Sequence, residues 1–188
     1  MEKIIGKYKI EVIQDDDAQS PNNWGNDDAF IVFDHREFYV GRKGFDPSDI
    51  FNDRYNKGFK TYNGYWIFPL YAYIHSGVAL SVGSHNFPDA RWDVSFKGFV
   101  LVRKVKGWTW TSEKAMEVAK SIVEEWNMYL SGEVYGYKIT DTEADDDDVV
   151  DSCWGFYGEE ENCMTEAESI VNHFIEQDKH GQLELEMK

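Results

Sequence analysis

A histidine beside a serine, His75-Ser76, is the pair that most invites a hydrolytic reading. The segment around it reads as extended, and strand neighbours point to opposite faces, so His75 cannot activate Ser76. A partner has to come from elsewhere in the chain, with Asp93 the candidate. The nucleophile-elbow pattern Gly-x-Ser-x-Gly is absent. The plainer reading has His75-Ser76-Gly77 bending the chain between two strands. Ser152-Cys153-Trp154 resembles the surroundings of a thiol-protease nucleophile. Asp151 falls on the same side of that strand as Cys153, and a carboxylate there suppresses the thiolate, so Cys153 reads as structural. An enzymatic reading would therefore draw on His75, Asp93 and Cys153, and the residue types alone assign none of them a catalytic role.

Metal sites fare no better. Cys153, Cys163, His173 and His180 are separated by ten, ten and seven positions, whereas zinc ligands come in short Cys-x2-4-Cys or His-x3-5-His steps. The acidic runs Asp15 to Asp17 and Asp145 to Asp148 lack the alternating Asp-x-Asp-x-Asp-Gly order that wraps a loop around calcium. No glycine-rich phosphate loop is present. The sequence implies no metal and no cofactor.

What remains are aromatic clusters and carboxylates. Tyr62, Tyr65, Trp66, Phe68, Tyr71 and Tyr73 form one aromatic cluster, Trp108 and Trp110 a second, and Trp154, Phe156 and Tyr157 a third. Most of these rings should be core, and a minority should anchor a protein interface, where Trp and Tyr are enriched. Stacking platforms for single-stranded nucleic acid set aromatics in a basic groove. The segment with Arg91, Lys97, Arg103, Lys104 and Lys106 is the place that could serve, with Trp66 as a stacking ring. Between Asp141 and Asp151 stand seven acids and no base, and Glu159-Glu160-Glu161 adds three more. Asp145, Asp146, Asp147, Asp148, Glu159, Glu160 and Glu161, with Trp154 and Tyr157, are the candidate binding residues, expected to form one continuous face.

The elements that must position these residues can be read from periodicity. Lys7 to Gln14 alternates polar and apolar residues, the period of a half-buried strand. Ala29 to Phe33, Glu37 to Val40, Tyr65 to Ile74, Val78 to Val82, Asp93 to Val105, Val134 to Ile139 and Val149 to Phe156 are further strand-like runs. Asp46-Pro47 opens a short helix ending near Gly58. From Thr111 or Ser112, apolar residues at Ala115, Val118, Ala119, Ile122, Trp126 and Tyr129 mark a long helix that Gly132 stops. Thr165-Glu166-Ala167-Glu168 reads as a capping box opening a second one, and Leu183 to Met187 as a short edge strand. Consecutive strands with few helices give an α+β fold, a mainly antiparallel sheet of six to eight strands packed with two main helices. No linker divides the chain, so residues 1–188 read as a single domain.

Composition sets the outer bounds. The 188 residues are 42% hydrophobic and 16% aromatic, enough for a sizeable core. Two cysteines are too few for a disulfide framework. No apolar run is long enough for a signal peptide or a membrane span, so a cytoplasmic, non-membrane protein is expected. Net charge is -16, unevenly placed: residues 1–58 carry -4, residues 59–110 carry +4, and residues 111–188 carry -16. Duplex binding rests on Lys and Arg neutralising phosphates, so this chain is not expected to bind nucleic acid directly.

Four motifs add a resemblance. They are Leu70-Tyr71-Ala72-Tyr73-Ile74-His75-Ser76-Gly77-Val78-Ala79-Leu80-Ser81; Trp92-Asp93 with Gly98-Phe99-Val100; Tyr129-Leu130-Ser131-Gly132-Glu133-Val134-Tyr135-Gly136-Tyr137; and Asp151-Ser152-Cys153-Trp154-Gly155-Phe156-Tyr157-Gly158. In this order they are similar to a recurring pattern in an uncharacterised family of small bacteriophage and mobile-element proteins. The resemblance covers residues 65 to 158 and departs from the pattern at Ser84 to Arg91, which looks like an insertion. It carries over no catalytic residue. What it implies is context: small acidic phage proteins often bind and block host defence or nucleic-acid-handling proteins in the bacterial cytoplasm. The expectation is thus an accessory protein whose acidic surface inhibits a basic host partner, with nucleic-acid mimicry as one route. A small enzyme and a single-stranded nucleic-acid-binding module are the alternatives.

Overall fold

The structure, a computed structural model, describes the chain except residues 26, 37, 85, 86, 88–93, 145–147, 187 and 188, and the side chains of residues 24 and 180–186. Among the described residues the chain forms ten strands in two antiparallel sheets and three α-helices. It divides into two compact units. Unit 1 combines Met1–Ala18 with Gly132–Lys188, and unit 2 is the intervening Gln19–Ser131. Unit 2 is thus inserted between two strands of unit 1, which explains why no single linker marks a boundary in the sequence.

In unit 1, β1 (Glu2–Ile5), β2 (Tyr8–Gln14), β9 (Val134–Asp141) and β10 (Val149–Tyr157) form a four-stranded sheet in that order. The alternation along β2 has its physical cause here: Tyr8, Ile10 and Val12 are buried, while Lys9 and Glu11 between them stay partly in water. The apolar side packs with Tyr137 and Ile139 of β9 under α3 (Glu160–Glu186), which contributes Cys163, Met164, Ala167 and Val171. The helix begins five residues before the expected capping box. Thr165 therefore sits inside it, its hydroxyl donating to the Glu161 carbonyl at 2.8 Å. Helix also runs through residues 183–186, where the sequence suggested an edge strand. Glu160 and Glu161 occupy the first turn, where carboxylates interact favourably with the helix dipole, and this favours the earlier start.

Unit 2 is built on β3 (Ala29–His35), β4 (Phe38–Val40), β5 (Thr61–Tyr62), β6 (Tyr65–Ile74), β7 (Val78–Val82) and β8 (Val94–Arg103), ordered β4-β3-β8-β6-β5 with β7 also on β6. Both faces of its centre are covered, so β3 and β8 contain unbroken buried apolar runs, Ala29 to Phe33 and Phe99 to Val102. On one face Phe33, Phe68, Leu70 and Val100 pack under α2 (Ser112–Ser131) through Ala115, Ala119, Val123 and Trp126. On the other, Phe30, Val32, Ile67, Phe99 and Leu101 pack against Ile50 of α1 (Pro47–Asp53) with Phe45, Phe51 and Tyr55. Asp46 caps α1 as expected, accepting from the backbone N–H groups of Ser48 and Asp49. Asn127 of α2 bonds both the N–H and the C=O of Leu80, at 2.7 and 3.0 Å, tying β7 to the helix.

Candidate functional site

The division into units also divides the charge. Unit 1 holds 22 acids and 6 bases, net -16, within 75 residues. Unit 2 holds 13 of each, net zero, within 113 residues. The net negative charge of the chain belongs wholly to unit 1.

Strand β10 organises the expected binding residues. Among the described residues its one strand neighbour is β9, so its other side is a sheet edge. Val149, Val150 and Trp154 are exposed along it. Two register irregularities interrupt the pairing, and the second contains Gly155 at φ +85°, a bulge conformation that favours glycine. Trp154 lies over Gly136 of β9 so closely that a Cβ there would stand 2.2 Å from the indole. Lys138 is 5.9 Å from the centre of the same ring. Tyr157 is partly buried at the end of the strand.

Asp148 and the run Glu159 to Glu161 stand at the two ends of this strand. Asp148 precedes β10, its carbonyl accepting from the Asp141 N–H at 3.2 Å. Glu159, Glu160 and Glu161 follow the strand and, with Glu133, Tyr135 and Gly158, line a groove of about 520 Å³. Nine extended residues separate the ends by about 30 Å. An antiparallel hairpin carries its turn and its far end apart, so Asp148 and Glu159 stand at opposite ends of the strand. Asp145, Asp146 and Asp147 lie outside the described residues. Glu160 pairs with the amino group of Met1, so part of this cluster has a structural task.

Fixed ion pairs elsewhere in unit 1 tie the chain segments together. Lys7 bridges Asp141 and Asp178 at 3.0 and 3.1 Å. Hydrogen bonds to those carboxylates push the Lys7 ammonium pKa up. Asp141 is held below the usual carboxylate range by the Glu143 backbone N–H and by Lys7, and Asp178 by Lys7 and Tyr8. The Tyr8 hydroxyl donates to Asp178 at 2.9 Å.

The described residues of the enzymatic reading belong to different units. His75 is exposed in the turn between β6 and β7 of unit 2, its N–H donating to the Gly77 carbonyl. Cys153 is exposed on β10 of unit 1, and Asp93 lies outside the described residues. The Tyr137 hydroxyl donates to Asp151 at 3.0 Å. Burial and that bond raise the pKa of the phenol. Cys163 is buried and its thiol is pushed up to about 11. Among the described residues no group of three or more His, Cys, Asp or Glu side chains is placed to hold a metal. The His173 ring meets Gln177 along α3.

Sequence reasoning missed a cleft of about 240 Å³ on unit 2, lined by Asp34, Pro47, Ser48, Phe51, Phe96 and Lys97 among others. Its residues come from three separate elements, and no spacing rule joins them. No helix among the described residues is long and apolar enough to cross a membrane. No family model, no curated protein and no solved structure matches the chain.

Proposed function

We propose that the chain is an accessory protein that binds a basic, nucleic-acid-handling host protein through unit 1 and blocks that partner's nucleic-acid site. The observation that carries this reading is the concentration of the whole net charge of -16 in a 75-residue unit, while the larger unit is neutral. A general need for solubility would spread net negative charge over both units. The motif resemblance to small phage and mobile-element proteins supports a bacterial defence component as the partner.

The docking line in this proposal is β10. Its acidic ends steer a basic partner, and the exposed Val149, Val150 and Trp154 between them supply apolar contact. A linear footprint about 30 Å long matches a stretch of nucleic-acid backbone better than a compact patch would. Affinity capture from bacterial lysate with the tagged chain, at low and high salt, tests the reading. A stoichiometric basic partner lost at high salt, and lost again in a Trp154→Ala variant carrying Glu159→Gln and Glu161→Gln, is expected. Capture that is insensitive to both salt and these substitutions would refute the proposal, as would the absence of any specific partner.

A further inference from the structure

Unit 2 carries a second surface of opposite character, at the end of its sheet where β8 leaves for α2. The connecting segment is Arg103-Lys104-Val105-Lys106-Gly107-Trp108-Thr109-Trp110, three bases and no acid. Thr109 is fully buried and fixes its shape. Its hydroxyl donates to the Arg103 carbonyl and accepts from the Val105 N–H, and its own N–H donates to the Val105 carbonyl. The Thr109 carbonyl accepts the indole N–H of Trp66 at 2.9 Å. With Thr109 anchored inward, the residues on either side are displayed: Trp108 is 48% and Trp110 58% exposed.

Lysines stand among these rings. The Lys104 ammonium lies 4.5 Å from the centre of the Trp66 ring and 5.3 Å from that of Trp110. Lys106 is exposed in the same turn. The nearby carboxylates of Asp27 and Asp28 are taken by Arg42 and Arg103. Lys104 and Lys106 have no ion pair among the described residues, in a chain where acids outnumber bases 35 to 19. Two exposed indoles and two uncommitted ammonium groups on a braced turn are suited to flat rings joined by anions.

We propose that this turn is a stacking platform for single-stranded nucleic acid, with Trp108 and Trp110 receiving bases and Lys104 and Lys106 meeting phosphates. Base faces are available to indoles only when unpaired, so single strands fit and a duplex does not. Whole-chain charge argues against nucleic acid only if it acts here. Unit 2 is neutral, and the carboxylates of Asp27 and Asp28 beside the turn are paired with arginines. Of the residues that the sequence offers for such a role, Trp66, Lys104 and Lys106 stand at this turn, and Lys97 and Arg103 do not join them. Lys97 lines the separate cleft on unit 2, six residues from Arg103 along β8, which is about 20 Å. Arg103 pairs across the sheet with Tyr65, on the face opposite Trp66. Arg91 is outside the described residues.

The test is fluorescence anisotropy of a labelled oligo-dT of about 16 nucleotides with the full chain, at about 50 mM and about 200 mM salt. Trp108→Ala and Trp110→Ala should each weaken binding about fivefold or more, and Trp110→Tyr should restore it because a stacking face remains. Lys104→Ala with Lys106→Ala should flatten the salt dependence, reducing the log-log slope by about 1.4. Lys97→Ala, which removes a charge about 20 Å from Arg103 along β8, should change little. Circular dichroism of each variant separates lost binding from lost fold. No binding at the lower salt, equal affinity for a duplex, or full binding by both alanine variants at tryptophan would each overturn the proposal. So would competition by polyglutamate as effective as by unlabelled oligonucleotide. The outcome is independent of the partner reading for unit 1, which is scored by capture of protein.

Discussion

Unit 1 and unit 2 solve the same problem, burying an antiparallel sheet, in two different ways. Unit 1 covers one sheet face with a single helix and leaves Lys9, Glu11, Lys138 and Trp154 on a half-solvated surface. Unit 2 covers both faces, with α2 on one side and α1 with its flanking aromatics on the other. The one-sided sheet can carry charge on its strands at little cost. The two-sided sheet cannot, because burying an unpaired charge costs more than any packing there returns. The strands of unit 1 nevertheless carry only four acids against three bases, so nearly all of its net charge of -16 resides in α3 and the connecting segments. The aromatic–basic turn of unit 2 likewise stands at an end of its sheet. What the difference teaches is that a single value of net charge misdescribes both parts.

The comparison breaks most easily at the cores. Trp126 is 2% exposed, packed edge-on to Phe38 and Tyr129. Trp126→Ala should cost unit 2 about 3–5 kcal/mol. Calorimetry with hydrogen exchange should show amides of β3 and β8 losing protection while those of β2 and β9 keep theirs. Equal loss in both sheets would mean that the units unfold as one. Close packing gives the next largest effect. A Cβ on Gly98 would stand 2.5 Å from the Val32 carbonyl, a backbone atom, whereas one on Gly136 meets chiefly the movable Trp154 ring. Gly98→Ala should therefore cost about 2–3 kcal/mol, and Gly136→Ala less, with a shift in tryptophan emission. The reverse order in denaturant midpoints would show that Trp154 is as fixed as a core side chain.

Electrostatics should separate the units more gently. Raising salt from about 0.01 to about 0.15 M shortens the screening length from about 30 to about 8 Å. Unit 1, with its 22 acids, should gain thermal stability, and neutral unit 2 should not. With acid the directions differ. Asp141 and Asp178 have depressed pKa values in the folded chain, so their contribution is present above the ordinary value of 3.8 and lost as pH falls below it. Glu125 of α2 is raised by burial. Its contribution is fullest below the ordinary value of 4.5 and is lost as pH rises through the raised one. Glu125→Gln should thus raise the unit 2 melting temperature slightly at neutral pH, and no change there would show that the carboxyl is effectively solvated. The smallest effect is chemical. Cys153 should react at once with a thiol reagent near pH 8, while Cys163, buried and shifted up to about 11, should react only on unfolding. Labelling of both at equal rates would mean that α3 opens readily from its sheet.

Much of this architecture was legible from local pattern. Period-two alternation marked β2, continuous apolar runs marked β3 and β8, and the Asp46-Pro47 pair and Gly132 marked where helices begin and end. These signals depend only on neighbours a few positions away, so they survive in a single sequence. The strand β1 carries only four residues, mostly exposed, and left no comparable trace. The start of α3 was misplaced because a capping-box pattern at Thr165 competes with carboxylates in an earlier turn, and packing of Cys163 and Met164 against β9 favours the earlier start.

The sequence by itself determined the fold class, the aromatic and acidic inventory and the absence of recognisable catalytic spacing. Tertiary structure alone decided that two sheets form instead of one, because strand partners 125 residues apart, such as Val12 and Tyr137, leave no local signature. It also decided that Asp148 and the Glu159 to Glu161 run flank β10 at opposite ends and that Lys104 stands between two indoles. Such distances are set by which strands pair and in what register, and pairing across the chain is governed by the burial of whole faces.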